Sequence, residues 1–153
     1  MITQEICVNL FDYKDGNLYW KTNNKIAGYV TNQGYKSIKI NQKKYLAHRL
    51  VFLYHYGYLP QIIDHINNIK TDNNIKNLRF ATPSENCRNS KKPLHNTSGE
   101  KNVSWDKNKQ KWCVRIKVGK IKKNIGRFVN LEDAKLAAIF ARNKYFEKFA
   151  NHT

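Results

Sequence analysis

The chain has 153 residues with 28 Lys and Arg against 11 Asp and Glu, a formal net charge of +17. Its hydrophobic share of 41% and aromatic share of 12% give material for modest cores, which argues against a disordered basic tail. Such a charge excess suits a polyanionic partner, because each neutralised phosphate releases condensed counterions. Lys, Asn and Ile are abundant together, however, and AT-rich coding accounts for part of the excess without any partner.

No apolar run approaches the ~20 residues that a membrane-spanning helix needs, so a membrane is not the expected partner. The start MITQEICVNLF lacks a basic stretch followed by a long apolar core, so no secretory signal is read there and a cytoplasmic protein is expected. Cys7, Cys87 and Cys113 are odd in number and far apart. They fit reduced thiols and neither a disulfide framework nor a zinc site.

From Gly16 to Ala47 apolar and polar residues alternate between turn signals. Leu18 and Trp20, then Tyr35, Ile38 and Ile40, then Tyr45 predict short antiparallel strands, with Gly28, Gly34 and Asn41-Gln42 near the bends. HRLVFLYHYG, from His48 to Gly57, predicts a short helix. Leu50, Val51 and Tyr54 recur at helical spacing, Tyr58 continues the series, and Gly57 is the stop.

Between Gln61 and Ser90 the pattern changes. IIDHI reads as a strand interrupted by Asp64 and His65, NNIKTDNNI as a polar loop, and NLRFA as a second strand. TPSENCRNS opens a helix with Thr82 as N-cap, Pro83 in the first helical position and Glu85 in the third. Two strands and a helix in so short a stretch form a ββα unit, too small to be organised by an apolar core alone. Asp64 and His65 are adjacent, so their side chains point to opposite sides of the pleat unless the backbone is distorted. Asn77 lies twelve residues beyond His65, and Asn86 twenty-one.

KKPLHNTSGE, residues 91–100, reads as a linker. Beyond it Trp112, Val114, Ile116 and Val118 share one strand face, and Cys113, Arg115 and Lys117 the other. Asp106 to Gln110 and Gly119-Lys120 are the predicted hairpin turns. Leu131 to Phe149 predicts an amphipathic helix with Asn130 as N-cap, carrying Leu131, Ala134, Ala138, Ala141, Tyr145 and Phe149 on one stripe. The expected fold class is α+β. An N-terminal β-rich segment supports the ββα unit (residues 1–90, core about 61–90), and residues 101–153 form a three-stranded antiparallel sheet packed on one helix.

The segment AHRLVFLYHYGYLPQIIDHINNIKTDNNIKNLRFATPSEN resembles the HNH (His-Me finger) nuclease family, in the branch of phage- and intron-encoded homing endonucleases. The matches are the DH pair, Asn73-Asn74, Asn77-Leu78 and TPSEN. The resemblance implies a ββα-metal fold holding one divalent cation. It makes His65 the general base that activates water and Asp64 and Asn86 the metal ligands. Asn77 is then the residue that pins the loop and orients the histidine.

The chemistry is coherent. A histidine titrating near neutrality can take a proton from water, and a cation neutralises charge on the departing 3′-oxygen. A carboxylate with an amide oxygen suits Mg²⁺ or Mn²⁺, and no structural zinc is expected. His48 and Arg49 also match the family's HRL, with His48 read as structural or substrate-proximal. Arg79 and Arg88, beside the expected site, are candidates for phosphate contact or for a solvated basic face.

The stretch from Asn96 to Phe146 is similar to the three-stranded DNA-binding domain of plant ethylene-response (Apetala-type) factors, relatives of which phage homing nucleases carry. SG, KWCVRI, NIGRF and EDAKLAA carry the likeness. It implies a sheet set into the major groove of double-stranded DNA, with Arg115, Lys117, Lys122 and Asn124 facing the duplex and Trp105 against sugar or phosphate edges. Trp112, in phase with Val114 and Ile116, is read as core. The face is mainly lysine where the plant domains carry arginine, so affinity is expected to exceed base reading.

The two resemblances together imply a metal-dependent endonuclease that hydrolyses DNA. The alternative is a DNA-binding regulator on the same scaffold. One chain supplies one such site, so cutting both strands takes two sites or two successive nicks, by a monomer or a dimer.

Overall fold

The computed structural model describes residues 2–152, which divide into two compact units with the boundary after Thr82.

In the first unit Thr3 caps a helix that the sequence reading did not anticipate, α1 (Gln4–Leu10), its side chain accepting from the Ile6 N–H at 3.3 Å. The chain then turns straight into a hairpin of β1 (Phe11–Lys14) and β2 (Asn17–Trp20). The Asp15-Gly16 turn has φ of 48° and 78°, the paired left-handed geometry that Asp-Gly favours and that matches strand twist. A small sheet follows, β3 (Tyr29–Val30), β4 (Lys36–Ile40) and β5 (Lys43–Leu46). The β4–β5 turn sits at Asn41-Gln42, as expected, with both residues at positive φ.

Helix α2 (Ala47–Tyr56) is closed by Gly57 in the left-handed conformation, whose N–H reaches the Leu53 carbonyl at 2.9 Å. Tyr58 falls beyond that stop and is exposed. One face of α2, through Leu50, Val51 and Leu53, meets Cys7, Phe11, Leu18 and Ile38 in a single apolar cluster. Burial pushes the Cys7 thiol up to about 11, and Cys7, Cys87 and Cys113 are all unpaired. The antiparallel pair β6 (Ile63–His65) and β7 (Leu78–Phe80) completes the unit, with Ile63 and Leu78 reaching into the same cluster.

The second unit begins with α3 (Pro83–Asn89). Residues 91–100, expected as a linker, carry bonds of their own. Asn96 donates to the Glu100 carbonyl at 2.8 Å, and the buried Ser98 hydroxyl meets the Val103 carbonyl at 2.9 Å. Strands β8 (Val103–Asp106), β9 (Lys111–Val118) and β10 (Ile121–Phe128) form an antiparallel sheet in the order β10-β9-β8. A register shift falls between Asn124 and Gly126.

Helix α4 (Leu131–Phe146) packs on this sheet. Val103 and Val114 meet Ala134 and Ala138, and Ile116 meets Ala141 and Phe146. Small side chains on the helix let it approach the sheet closely. Asn130 occupies the N-cap, but its side chain meets the Asp133 carboxylate at 3.4 Å in place of a backbone N–H. The expected helix to Phe149 ends three residues earlier: Glu147 has φ of 48°, and a single 3₁₀ turn covers Glu147–Phe149. Asn151 then donates to the Asn89 carbonyl at 2.6 Å, and Arg88 lies over the Phe146 ring at 5.3 Å, so α3 is tied to the chain's last described residues. The architecture is mixed α+β, with several small antiparallel sheets, as expected.

Candidate functional site

His65 ends β6 opposite Leu78, and Asp64 stands opposite Arg79. Alternation along the strand therefore sends the two side chains to different faces, as their adjacency requires. Asp64 is 5% exposed, and its Oδ2 receives both Arg79 Nη2 at 2.7 Å and Nε at 2.8 Å. A directly opposed ion pair of this burial, with two guanidinium N–H groups on one carboxylate oxygen, fixes both side chains firmly. Arg79 is thus the partner of the acidic residue, a role that the sequence reading did not assign to it.

His65, 6% exposed, sits among different groups. Its Nε2 lies 3.0 Å from Oδ1 of Asn73, itself 1% exposed. The His48 ring stands edge-on with centroids 5.1 Å apart, and Tyr35 lies 5.5 Å from His48 and 6.2 Å from His65. Burial pushes His48 down to about 3, helped by neighbouring His65 and Arg49, so it stays neutral across the physiological range. Its Nδ1 is buried with no hydrogen-bond partner.

The loop between β6 and β7 explains the density of Asn and Asp in this stretch. Asn67 accepts from the Ile69 N–H, Asp72 from Asn74 and Asn74 from Lys76, each a side chain bonding the backbone two residues on. Asn77 closes the loop from its far end. Its Oδ1 accepts from the Asn67 N–H at 3.0 Å, and its Nδ2 donates to Asn67 Oδ1 at 2.9 Å and to the Asp72 carbonyl at 2.8 Å. Asn77 therefore grips the loop while Asn73 touches the ring.

The first hairpin braces the same loop. Tyr13 Oη accepts from the Ile75 N–H at 3.0 Å, and a Cβ at Gly16 would come within 2.8 Å of the Asn74 nitrogen. The sequence signal for Asn73 was present, since it was one of the matched positions, but no pattern rule distinguishes a ring-orienting Asn from its neighbours.

Asn86 and Arg88 lie on α3, in the second unit. Asn86 is exposed. Among the described residues no group of three or more His, Cys, Asp and Glu could hold a metal ion. A carboxylate with an amide is a hard, oxygen-only donor pair, which suits a cation that keeps water and phosphate oxygens in its shell. In that chemical sense the residues fit the divalent ion that the resemblance implies.

On the C-terminal sheet Arg115 stands opposite Asn124, and Lys117 opposite Lys122, and all four are exposed. Trp105 stands opposite Trp112, ring centroids 4.9 Å apart, which puts it on the sheet face away from Arg115 and Lys117. It is 39% exposed at that edge.

Residues 45–88 match the family described as HNH endonuclease. This segment is similar to the HNH type. It runs from Tyr45 through α2, β6, the Asn-rich loop and β7 to Arg88, and so includes Asp64, His65, Asn73, Asn77 and Asn86. The HNH endonuclease family implies DNA as substrate and suggests a nuclease or DNA-binding function, and its members generally use a divalent metal. The chain is also similar to Protein 3.8 of Escherichia phage T7, 46% identical over 50 residues, which cover 33% of this chain and 41% of that protein. The match thus spans less than half of the curated relative's length. No solved structure matches the chain. No helix among the described residues is long and apolar enough to cross a membrane.

Proposed function

We propose that the chain is a metal-dependent DNA endonuclease of the homing type. Residues 1–90 act as the nuclease module, and residues 101–153 act as a DNA-gripping domain like that of the Apetala-type factors. The observation that carries this reading is the buried hydrogen bond between His65 and Asn73 on an HNH-type segment. With Asn73 Oδ1 as acceptor, Nε2 bears the proton and the basic lone pair falls on Nδ1. His65 in that tautomer removes a proton from the attacking water, and Asn73 fixes the ring plane while this happens.

Asn77 keeps the loop, and so Asn73, in register. Asp64 offers a carboxylate oxygen and Asn86 an amide oxygen, donors of the kind that Mg²⁺ or Mn²⁺ takes. When bound, that ion neutralises charge on the phosphodiester and its leaving 3′-oxygen. The products are a 5′-phosphate and a 3′-hydroxyl. Arg115, Lys117, Lys122 and Asn124 hold the duplex, with Arg79 and Arg88 as further cations. Two lysines directly opposed across a strand pair repel one another, a cost that a phosphate removes. Trp105, on the other face, serves at most the edge of that contact.

The Asp64–Arg79 ion pair favours a second reading, a DNA-binding regulator without hydrolysis, because the guanidinium already holds Oδ2 of the carboxylate. Incubation of supercoiled plasmid with the protein and Mg²⁺ separates the two. Nicking that a chelator stops supports the endonuclease. Tight binding with plasmid left supercoiled supports the regulator.

A further inference from the structure

The second unit contains a groove of about 580 Å³ that shares Lys117 with the reading face of the sheet and extends beyond it. Its lining brings together Arg88 from α3, Lys91 from the next segment, Lys101 before β8 and Lys117 from β9, with Phe146 and Cys87 among the apolar walls. No Asp or Glu is among the lining residues.

Two of these cations are poorly compensated. Lys101 is 9% exposed, and its ammonium donates only to neutral carbonyls, those of Arg88 and Ser90. Burial, aided by nearby Arg142, pushes Lys101 down to about 8. Arg142 is itself fully buried, with Nη2 unpartnered, and Arg88 Nε is likewise buried without a hydrogen bond. Glu100, the adjacent carboxylate, is paired with Lys135 at 3.2 Å. Glu100 offsets the charge of Arg142 in part, but among the described residues no salt bridge reaches Lys101 or Arg88, and buried cations without anions are costly, so the groove is electrostatically incomplete as it stands.

Lys117 belongs to the groove and also to the exposed sheet face, two residues from Arg115 and directly opposite Lys122. The two positive surfaces are therefore one continuous track. We propose that this groove binds the phosphodiester backbone of a DNA strand that continues off the sheet. Residues 91–101 then form one wall of the nucleic-acid site. The inference rests on the DNA-binding reading and adds to it a second, sequence-independent contact surface.

The full chain carries its own probe, because Cys87 is exposed in the groove while Cys7 and Cys113 are buried. A thiol-reactive reagent applied under native conditions reports on Cys87. Saturating duplex DNA is expected to slow its labelling at least tenfold, and inorganic phosphate at the same ionic strength to leave it unchanged. Protection by phosphate equal to that by DNA would overturn the backbone assignment in favour of a small-anion site.

The second measurement is the salt dependence of DNA affinity for Lys91→Ala, an exposed position whose loss spares the fold, beside Arg115→Ala on the sheet. Each should flatten the slope of log K against log salt by about 0.9, which is roughly eightfold in affinity near 0.1 M salt. A Lys91→Ala slope equal to wild type, with Cys87 still labelled at full rate on DNA, refutes the groove alone. Absence of any DNA binding by the wild-type chain would remove the parent reading and this inference together.

Discussion

The C-terminal sheet with its helix and the loop between β6 and β7 are held by different physics. The sheet and helix of residues 103–146 rest on apolar periodicity: Val114, Ile116, Ala134, Ala138 and Ala141 meet across one interface, and each can be found by counting along the chain. The loop between β6 and β7 packs only Ile75 against the core, leaves Ile66 and Ile69 exposed, and is held by side-chain hydrogen bonds from Asn67, Asp72, Asn73, Asn74 and Asn77. An apolar interface tolerates small shifts, because its energy varies smoothly with area. A polar network depends on distance and angle, and it can hold a histidine ring in one orientation. The chemistry is accordingly expected where polar bonds, and not apolar contacts, set the side-chain orientation.

The contrast can be broken most forcefully at Arg79. Arg79→Ala leaves Asp64 buried without its cation, and chemical denaturation should show a loss of roughly 3–5 kcal/mol. A loss below 1 kcal/mol would mean that the pair contributes little to holding the β6–β7 ribbon. Gly16→Ala attacks the loop from outside, since φ is 78° and the new Cβ would come within 2.8 Å of the Asn74 nitrogen. A loss on the order of 1–3 kcal/mol is expected, with cleavage falling further than stability alone explains. Unchanged activity would show that the first hairpin does not brace the site.

Asn73→Ala tests the wiring itself. Cleavage should fall roughly ten- to a hundredfold, as for other partners that orient a functional histidine, and the fall should lie in kcat while KM stays level. Asn73→Asp keeps an acceptor oxygen in place and should recover part of the rate. At neutral pH the smallest effect is expected at His48, whose folded value of about 3 lies below its ordinary 6.5 and so matters only in acid. The folded chain refuses a proton that the unfolded chain accepts between these values. Stability from this group is therefore complete above pH 6.5 and declines as pH falls toward 3, by up to about 1.4 kcal/mol per pH unit. His48→Phe should flatten that part of the wild-type profile, and an identical slope in the variant would contradict the buried, neutral assignment.

Legibility followed the same division. The strands around Leu18, Ile38 and Ile116, the stops at Gly57 and Gly119-Lys120, and the Ala stripe of α4 were readable, because hydrophobic period and turn chemistry are local signals. Helix α1 was not foreseen, since its seven residues have one buried position, Cys7, and depend on packing against α2 and on the Thr3 cap. The end of α4 at Phe146 is set by a positive φ at Glu147 that no pattern announces. The DH pair and its spaced asparagines were visible as a family pattern. That Arg79 would take the Asp64 carboxylate and Asn73 the His65 ring was not, because both follow from strand register and loop closure. Trp105 shows the same limit: the pairing of β8 with β9, which places it beside Trp112, is a long-range fact.

The central claim is that His65, oriented by Asn73, removes the proton from the attacking water. Its most direct test is the single-turnover rate of DNA cleavage by His65→Ala in Mg²⁺, measured alongside DNA affinity. The claim predicts a fall of about 10²–10⁴ in rate, with affinity within twofold of wild type. Cleavage at the wild-type rate, or a loss of binding in parallel with the loss of cutting, would contradict it.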